Sequence, residues 1–182
     1  MKHTFIAICL SLSFIVPVHA QERCALRYDV PEEIRFPGIL VLVLVEPQCF
    51  AIYEDGQLST RILGRSLYGY ASTGMRGHRT PFSDPIRGPN RITRAHRHYW
   101  SKTYSVFWRG REVPAYMPYS LFFTNDGHAL HEGRVDRMFA SHGCVRLPTR
   151  AAEALFGGFP HDEVQVVITR NKASFRAEWE GW

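Results

Sequence analysis

Short apolar runs separated by polar and turn-forming residues dominate the chain from residue 39 onward. Residues 39–45 form a continuous apolar run rich in β-branched side chains, which is typical of a buried strand. Residues 49–54 form the next run, and the pair Asp55-Gly56 that follows is a hairpin signal before residues 58–63. The chain therefore opens with a predicted β-meander.

The same pattern continues along the rest of the chain, interrupted by one long loop and one helix. Further strands are predicted at residues 67–72, 91–96, 99–108, 116–124, 128–131 and 164–169. The segment Asn125-Asp126-Gly127 predicts a hairpin between the strands on either side of it. The stretch 74–89, rich in Gly and Pro, predicts a long loop, and residues 147–156 predict a short helix.

This arrangement of elements indicates the fold class. Many short strands, frequent turn residues and one convincing helix are typical of a mainly β domain. The chain has 182 residues, of which 45% are hydrophobic, so it can bury one core and is expected to form one domain. For the tail, residues 170–182, the pattern is compatible with either a loose helix or an unstructured segment.

The first twenty residues differ from this domain. Lys2, an apolar run over residues 5–16 and small residues before Gln21 are typical of a secretory signal peptide. The alternative, an N-terminal buried helix, is disfavoured by those flanks, and no run is long enough to span a bilayer comfortably. We therefore expect a signal peptide (1–20), an N-terminal arm (21–38), a main domain (39–169) and a tail (170–182), in a protein exported to the periplasm or cell envelope.

Charge narrows the choice of partners. The chain has 22 Lys and Arg against 17 Asp and Glu, and loss of Lys2 with the signal peptide leaves 21 against 17, or +4. Most of these cations are arginines, whose planar fork suits the carboxylates of acidic peptides or anionic wall polymers. A solvated arginine-rich surface is an equally good explanation. Export argues against a nucleic-acid partner, and a monomer is the default expectation.

Three cysteines remain after removal of the signal peptide: Cys24, Cys49 and Cys144. In an oxidising compartment an odd number predicts one bridge, for which Cys24 and Cys49 are the natural pair, and one free thiol. Two unpaired buried cysteines are an equal alternative, because spacing alone does not establish a bridge.

Cys144 lies in a segment with the components of nucleophilic catalysis. A thiol has an ordinary pKa of about 8.5, so it needs a neighbouring base, and His131 and His142 are the candidates. Gly143 lacks a Cβ, so its N–H and that of Cys144 are expected to form an oxyanion hole. The positive end of the predicted helix, which has Pro148 at its start, is expected to favour the thiolate.

The segments HALHEG (128–133) and SHGCVRL (141–147) resemble the YkuD-type L,D-transpeptidase catalytic domain, whose signature is a His, a short loop and Ser/Thr-His-Gly-Cys. Upstream, residues 70–81 resemble the Ser-Thr-Gly and Thr-Pro segment of that family, and residues 117–123 resemble its Met-Pro-Tyr strand. The resemblance covers about residues 39–169. Glu132 departs from the pattern, since family members usually have Gly or Ser after the first His.

This resemblance implies a β-sandwich or barrel-like domain with one or two short helices, and a cysteine acyltransferase acting on peptidoglycan stem peptides. Cys144 would attack the carbonyl of the third stem residue, expel the terminal D-amino acid and form a thioester that an amine then resolves. His131 would be the base and later the acid. Glu132 would orient the His131 imidazole, chiefly through its backbone carbonyl. The chemistry needs no cofactor.

The resemblance also implies the substrate-binding residues. Tyr119 would lie beside the thiol and donate to the oxyanion or hold the substrate. Arg146 would bind a substrate carboxylate. Ser141 and His142 complete the expected set.

Three alternatives stay open at this point. The first is a hydrolase of the same family, which would share every motif. The second is a wall-binding module without activity, in which Cys144 would have no catalytic role. A metal site at His96 and His98, with other histidines near in sequence, is the third. No HExxH or CxxC motif accompanies these histidines, so we expect no metal and interpret them as substrate-facing or solvated residues.

Overall fold

The computed structural model describes residues 30–60, 67–135 and 139–179. In this part of the chain twelve strands and two helices follow one another, and their bounds are β1 (Ile39–Leu44), β2 (Cys49–Glu54), β3 (Gln57–Leu58), β4 (Tyr68–Tyr70), β5 (Asn90–Arg91), β6 (Arg94–His96), β7 (Trp100–Trp108), β8 (Arg111–Tyr116), β9 (Ser120–Phe122), β10 (Ala129–Glu132), β11 (Val145–Leu147), α1 (Thr149–Gly158), β12 (Val164–Thr169) and α2 (Lys172–Trp179). The fold is mainly β, as predicted.

The larger sheet has β1 near its centre, in the order β3-β2-β1-β12-β5, with β4 also paired to β2. β1 runs antiparallel to β2 and parallel to β12. All six side chains of β1 are buried, because the sheet is covered on both faces. This explains why β1 is a continuous apolar run without alternating polar residues.

One face of this sheet packs against a second sheet, ordered β11-β10-β9-β6, and against α1. Val41 and Val43 of β1 share this core with Leu130, Val145 and residues of α1. The second sheet therefore has one face in the core and one face available for chemistry.

The other face of the larger sheet is covered by the N-terminal arm and by the tail. Val30, Ile34 and Phe36 of the arm pack with Phe175 and Trp179 of α2 in a second apolar cluster. The tail thus forms a helix, the first of the two outcomes that its pattern allowed. Among the described residues no helix is long and apolar enough to span a membrane.

Both predicted hairpins are confirmed. β2 and β3 pair across Asp55-Gly56, and β9 and β10 pair across the turn at residues 125–127. The predicted signal peptide, and Cys24 with its predicted bridge to Cys49, lie outside the described residues.

Three predicted elements were wrong in their bounds, and one strand was not predicted. The predicted strand 91–96 is divided into β5 and β6, which belong to different sheets. The predicted strand 116–124 is interrupted after Tyr116, because Tyr119 adopts a positive φ of 54° and redirects the chain into β9. β8 was not predicted at all, since the sequence of residues 111–116 does not alternate between polar and apolar residues. The helix begins at Thr149, because Leu147 belongs to β11 and Pro148 ends that strand.

Candidate active site

Strand pairing brings Cys144 and His131 to the same face of the second sheet. β10 and β11 are parallel, with Leu130 opposite Val145 and His131 opposite Arg146. Successive strand residues point to opposite faces, so His131 and Arg146 lie on the face away from Leu130 and Val145, which are in the core. Cys144 precedes Val145 and so shares the His131 face. The two side chains are diagonal neighbours, a separation that long or aromatic side chains can bridge.

The hydrogen bond of His131 determines its tautomer. Its Nδ1 lies 2.6 Å from the carbonyl oxygen of Glu132. A carbonyl only accepts, so Nδ1 carries the proton and Nε2 keeps a free lone pair. This hydrogen bond has the geometry that the family resemblance implied for Glu132, whose orienting role stays a prediction.

The Glu132 side chain contacts α1, whereas its backbone carbonyl contacts the His131 ring. Its carboxylate accepts a hydrogen bond of 2.8 Å from the hydroxyl of Thr149, the first residue of α1. The Glu132 N–H donates to the carbonyl of Pro118. The departure from Gly or Ser at this position therefore changes a contact with α1 and leaves the carbonyl that holds His131 in place.

Burial keeps both reacting groups neutral. His131 is 6% exposed, and burial lowers its pKa to about 4, with a smaller effect in the same direction from the Arg146 cation. Burial also raises the pKa of the Cys144 thiol above its ordinary value, against smaller opposing effects of the Ala129 backbone and Arg146. Loss of hydration thus acts against the predicted bias toward the thiolate, which stays a prediction.

The loop before the thiol is held by its own hydrogen bonds. The Ser141 hydroxyl donates to the carbonyl of Cys144, and the Gly143 N–H donates to the Ser141 oxygen at 3.1 Å. Gly143 has a φ of 103°, which favours glycine, and a Cβ here would lie 2.6 Å from the His128 ring. Gly143 is thus required by the backbone and by the close packing of His128. Its N–H, an expected oxyanion donor, is engaged by Ser141.

A series of buried hydrogen bonds, for which the sequence contains no signal, holds the loop before Cys144 in place. The Gln48 side chain is 4% exposed and donates to the Thr73 hydroxyl, while the Thr73 N–H donates back to the Gln48 amide oxygen. The Thr73 carbonyl in turn accepts from the N–H groups of Ala140 and Ser141. The positive φ of Gln48, 67°, is a structural signal that no sequence pattern showed.

Arg146 lies at the edge of the site with its backbone fixed. Its N–H donates to the Ser72 carbonyl at 2.8 Å, and its carbonyl accepts from the Ser72 N–H at 3.0 Å. A Cβ on Gly133 would lie 2.9 Å from Cδ of Arg146, so the side chain packs closely over that glycine. The cation lies near enough to His131 and Cys144 to affect both pKa values.

His142 lies in an aromatic stack above the loop. Its ring centroid is 4.2 Å from that of Tyr104 in a stacked arrangement and 4.8 Å from that of His78. Burial lowers the pKa of His142, with smaller effects of His78 and Arg146 in the same direction. This position, between two rings, favours an orienting role for His142 over that of the base.

The thiol opens into a cleft of about 300 Å³ beneath the β7–β8 hairpin. Cys144, His128, His142 and Tyr104 line it together with Met117 and Phe122. Sγ of Cys144 lies 3.9 Å from the Gly127 carbonyl in the β9–β10 turn. The cleft gives a substrate carbonyl a route to the sulfur.

Tyr119 lies away from this cleft. Its hydroxyl is 3.4 Å from the Glu153 carboxylate, and its ring centroid is 5.8 Å from that of Phe156, both on α1. The described contacts of its side chain are with α1 and with Arg97, and none is with Cys144. Its expected role beside the thiol stays a prediction.

The histidines of the metal hypothesis are dispersed among aromatic residues. The His96 ring packs near Tyr99 and Phe122, whereas Nδ1 of His98 contacts the Tyr116 hydroxyl at 2.5 Å. Within residues 30–60, 67–135 and 139–179, no group of three or more His, Cys, Asp or Glu side chains is arranged to hold a metal ion.

Comparisons with known proteins give a consistent picture. The family model YkuD, the L,D-transpeptidase catalytic domain, matches residues 37–168. No sequence match to the curated proteins was found. An L,D-transpeptidase from Stackebrandtia nassauensis is similar in structure, with a TM-score of 0.57 and 25% identity over 78% of this chain, which spans 60% of the length of that chain.

Two further solved structures share the fold at lower identity. An L,D-transpeptidase from Xylanimonas cellulosilytica has a TM-score of 0.58 and 21% identity, covering 82% of this chain and 69% of its own. L,D-transpeptidase 3 from Mycobacterium tuberculosis, in complex with a faropenem-derived adduct, has a TM-score of 0.55 and 18% identity, covering 73% and 60%. The family model covers well over half of the sequence, and this chain therefore belongs to the YkuD family of L,D-transpeptidase catalytic domains.

Proposed function

We propose that this protein is an exported L,D-transpeptidase that forms a thioester between Cys144 and a peptidoglycan stem peptide. The observation that carries the proposal is the state of His131. Its Nδ1–H is donated to the Glu132 carbonyl, and Nε2 keeps a lone pair on the sheet face that Cys144 shares. An imidazole held with Nε2 unprotonated can accept the proton of a thiol on the same face, although burial makes it a weaker base than a free histidine.

In the first half-reaction the sulfur attacks the carbonyl carbon of the third stem residue. The S–H bond breaks as the C–S bond forms, and the proton passes to Nε2 of His131. The backbone N–H groups of Gly143 and Cys144 stabilise the oxyanion, that of Gly143 being shared with Ser141. Collapse breaks the amide bond, and His131 returns the proton to the leaving amine of the terminal D-amino acid.

In the second half-reaction an amine attacks the thioester. His131 removes a proton from that amine, an amide bond forms, the C–S bond breaks and the sulfur regains its proton. A stem-peptide side chain, another stem position or a free D-amino acid provides the amine. Attack by water instead would make the protein an L,D-carboxypeptidase, so the occupancy of the cleft by the acceptor decides between the two activities.

Neighbouring residues support these steps. Arg146 binds a substrate carboxylate through its guanidinium fork. Ser141 holds the loop, and His142 orients it through its stack on Tyr104. Tyr119 is proposed to contact the substrate from the α1 side of the site.

Mass analysis of muropeptides incubated with the purified protein tests this function. We expect tetrapeptide stems to lose the terminal D-amino acid and to gain a second stem or an added D-amino acid. Cys144→Ser provides the matched control and is expected to leave the muropeptides unchanged. Loss of the D-amino acid with water alone would identify a carboxypeptidase. Unchanged muropeptides with the wild type would contradict the enzymatic function and favour a wall-binding module.

A further inference from the structure

The tip of the β7–β8 hairpin presents an apolar surface outside the cleft that the base of the hairpin lines. In the described part of the chain, β7 and β8 pair only with each other. Among all the described residues, nine large hydrophobic side chains are exposed. Six of these nine lie on this hairpin: Trp100, Tyr104, Val106, Phe107, Trp108 and Tyr116. Exposed apolar side chains gathered in one place mark an interaction surface, whereas scattered ones need no explanation.

The most exposed aromatic side chains form the tip of the hairpin. Phe107 is 80% exposed and Trp108 is 63% exposed. As neighbours on one strand they point to opposite faces of the ribbon. The loop that follows consists of Arg109 and Gly110 only, with positive φ angles of 49° and 76°, as in a tight type I′ turn. The tip is therefore a narrow, convex wedge with an aromatic ring on each side.

The hairpin that carries these rings is positively charged. Residues 100–116 contain Lys102, Arg109 and Arg111 against Glu112, a net charge of +2. The Arg109 guanidinium lies 5.7 Å from the ring centroid of Trp108, so charge and aromatic surface coincide at the tip. Aromatic rings flanked by arginine and lysine are typical of protein segments that lie in the interface of an anionic bilayer.

We propose that the hairpin tip docks into the surface of an anionic lipid bilayer. The headgroup region of a bilayer can surround a convex tip and contact the rings on both faces, and the amphipathic Trp ring is suited to that depth. A rigid glycan strand contacts one face of a ribbon only, and ligand sites for small groups are concave. Two-sided exposure and positive charge thus favour lipid over sugar.

Docking at the tip would also position the catalytic cleft. Tyr104, nearer the base of the same hairpin, stacks on His142 in the wall of the cleft. The hairpin therefore connects the membrane-bound tip to the wall of the cleft, and it includes neither Cys144 nor His131. This inference does not depend on the proposed transpeptidase activity.

Sedimentation of the mature protein with lipid vesicles tests the proposal. We expect binding to vesicles of phosphatidylglycerol and phosphatidylethanolamine in equal parts, weak binding to pure phosphatidylcholine, and a decrease with added salt. The double variant Phe107→Ser/Trp108→Ser should bind on the order of tenfold less tightly. Replacing Arg109 and Arg111 by Gln should cost about fivefold for each arginine.

A matched control removes exposed apolar side chains elsewhere. Phe82 and Ile86 are 53% and 92% exposed in the long loop, and Phe82→Ser/Ile86→Ser should bind vesicles like the wild type. Equal loss in this control, wild-type binding by the tip variant, or no binding by the wild type would each overturn the proposal. The proposal would also be overturned if the tip variant kept vesicle binding and lost only its binding to peptide-free glycan strands. The same holds if it lost only self-association, measured by light scattering.

A second measurement covers the case in which the tip variant does not fold. Brominated lipids should quench the tryptophan fluorescence of the wild type, and Trp108→Phe should lose most of that quenching while still sedimenting with vesicles. Quenching that is unchanged in Trp108→Phe would show that another tryptophan meets the bilayer, and would overturn the assignment to the tip.

Discussion

Acid should destabilise this protein through His131, because the fold buries that imidazole in its neutral form. The pKa of His131 is about 4 in the folded protein against about 6.5 in an unfolded chain. Between these values the unfolded chain binds a proton that the folded protein does not. The contribution to stability is therefore complete above the unfolded pKa and is lost as the pH falls toward the folded pKa.

The size of the effect follows from the two pKa values. Over the whole interval the linkage amounts to about 3 kcal/mol, and lowering the pH from about 7 to about 5 removes about 2 kcal/mol of it. Other groups titrate in this range too, including His128 and His142, whose pKa values burial also lowers. A variant that lacks only the His131 titration is needed to separate them.

His131→Asn is that variant, since its amide N–H can replace Nδ1–H at the Glu132 carbonyl and does not titrate. Urea unfolding of both proteins, followed by the fluorescence of the buried Trp179, gives the free energy of unfolding at each pH. The wild type should lose about 2 kcal/mol more than His131→Asn between pH 7 and 5. Parallel pH dependences of the two proteins would refute the buried neutral imidazole.

Three further predictions concern the metal, the cation and the cysteines. EDTA should leave activity unchanged, because thiol acylation requires no metal ion, and loss of activity that zinc restores would revive the histidine-cluster hypothesis. Arg146→Ala should raise the pKa of the Cys144 thiol, seen as an alkaline shift in the pH profile of iodoacetamide labelling, whereas Arg146→Lys should shift it less. Non-reducing peptide mapping should find Cys24 joined to Cys49 and Cys144 unbridged; a bridge that includes Cys144 is the contrary result.

The core strands and the family motif could be predicted because their signals are local. β1 is an uninterrupted apolar run, β12 is apolar except at Gln165 and Thr169, and both hairpins carry their turn residues in the sequence. The link between His131 and the Glu132 carbonyl followed from the family resemblance, and its geometry is present. These features depend on few residues that are close together in the chain.

Features that depend on distant contacts could not be predicted. Gln48 reaches the loop before Cys144 through Thr73, a link that no local pattern contains. β8 is largely exposed and gains its strand conformation by pairing with β7, so its sequence lacks the alternation of polar and apolar residues that predicts a strand. The pKa of Cys144 depends on how deeply the fold buries the thiol, and the sequence shows only the positive charges near it.

The most direct test of the account is the intact mass of the protein after incubation with faropenem, a strained acyl donor. If Cys144 is the nucleophile and His131 its base, the wild type should gain one covalent adduct and Cys144→Ser none. His131→Ala should acylate on the order of 10² to 10⁴-fold more slowly, as expected for loss of a general base. The same adduct on wild type and on Cys144→Ser would show that the thiol is not the nucleophile and would contradict the mechanism.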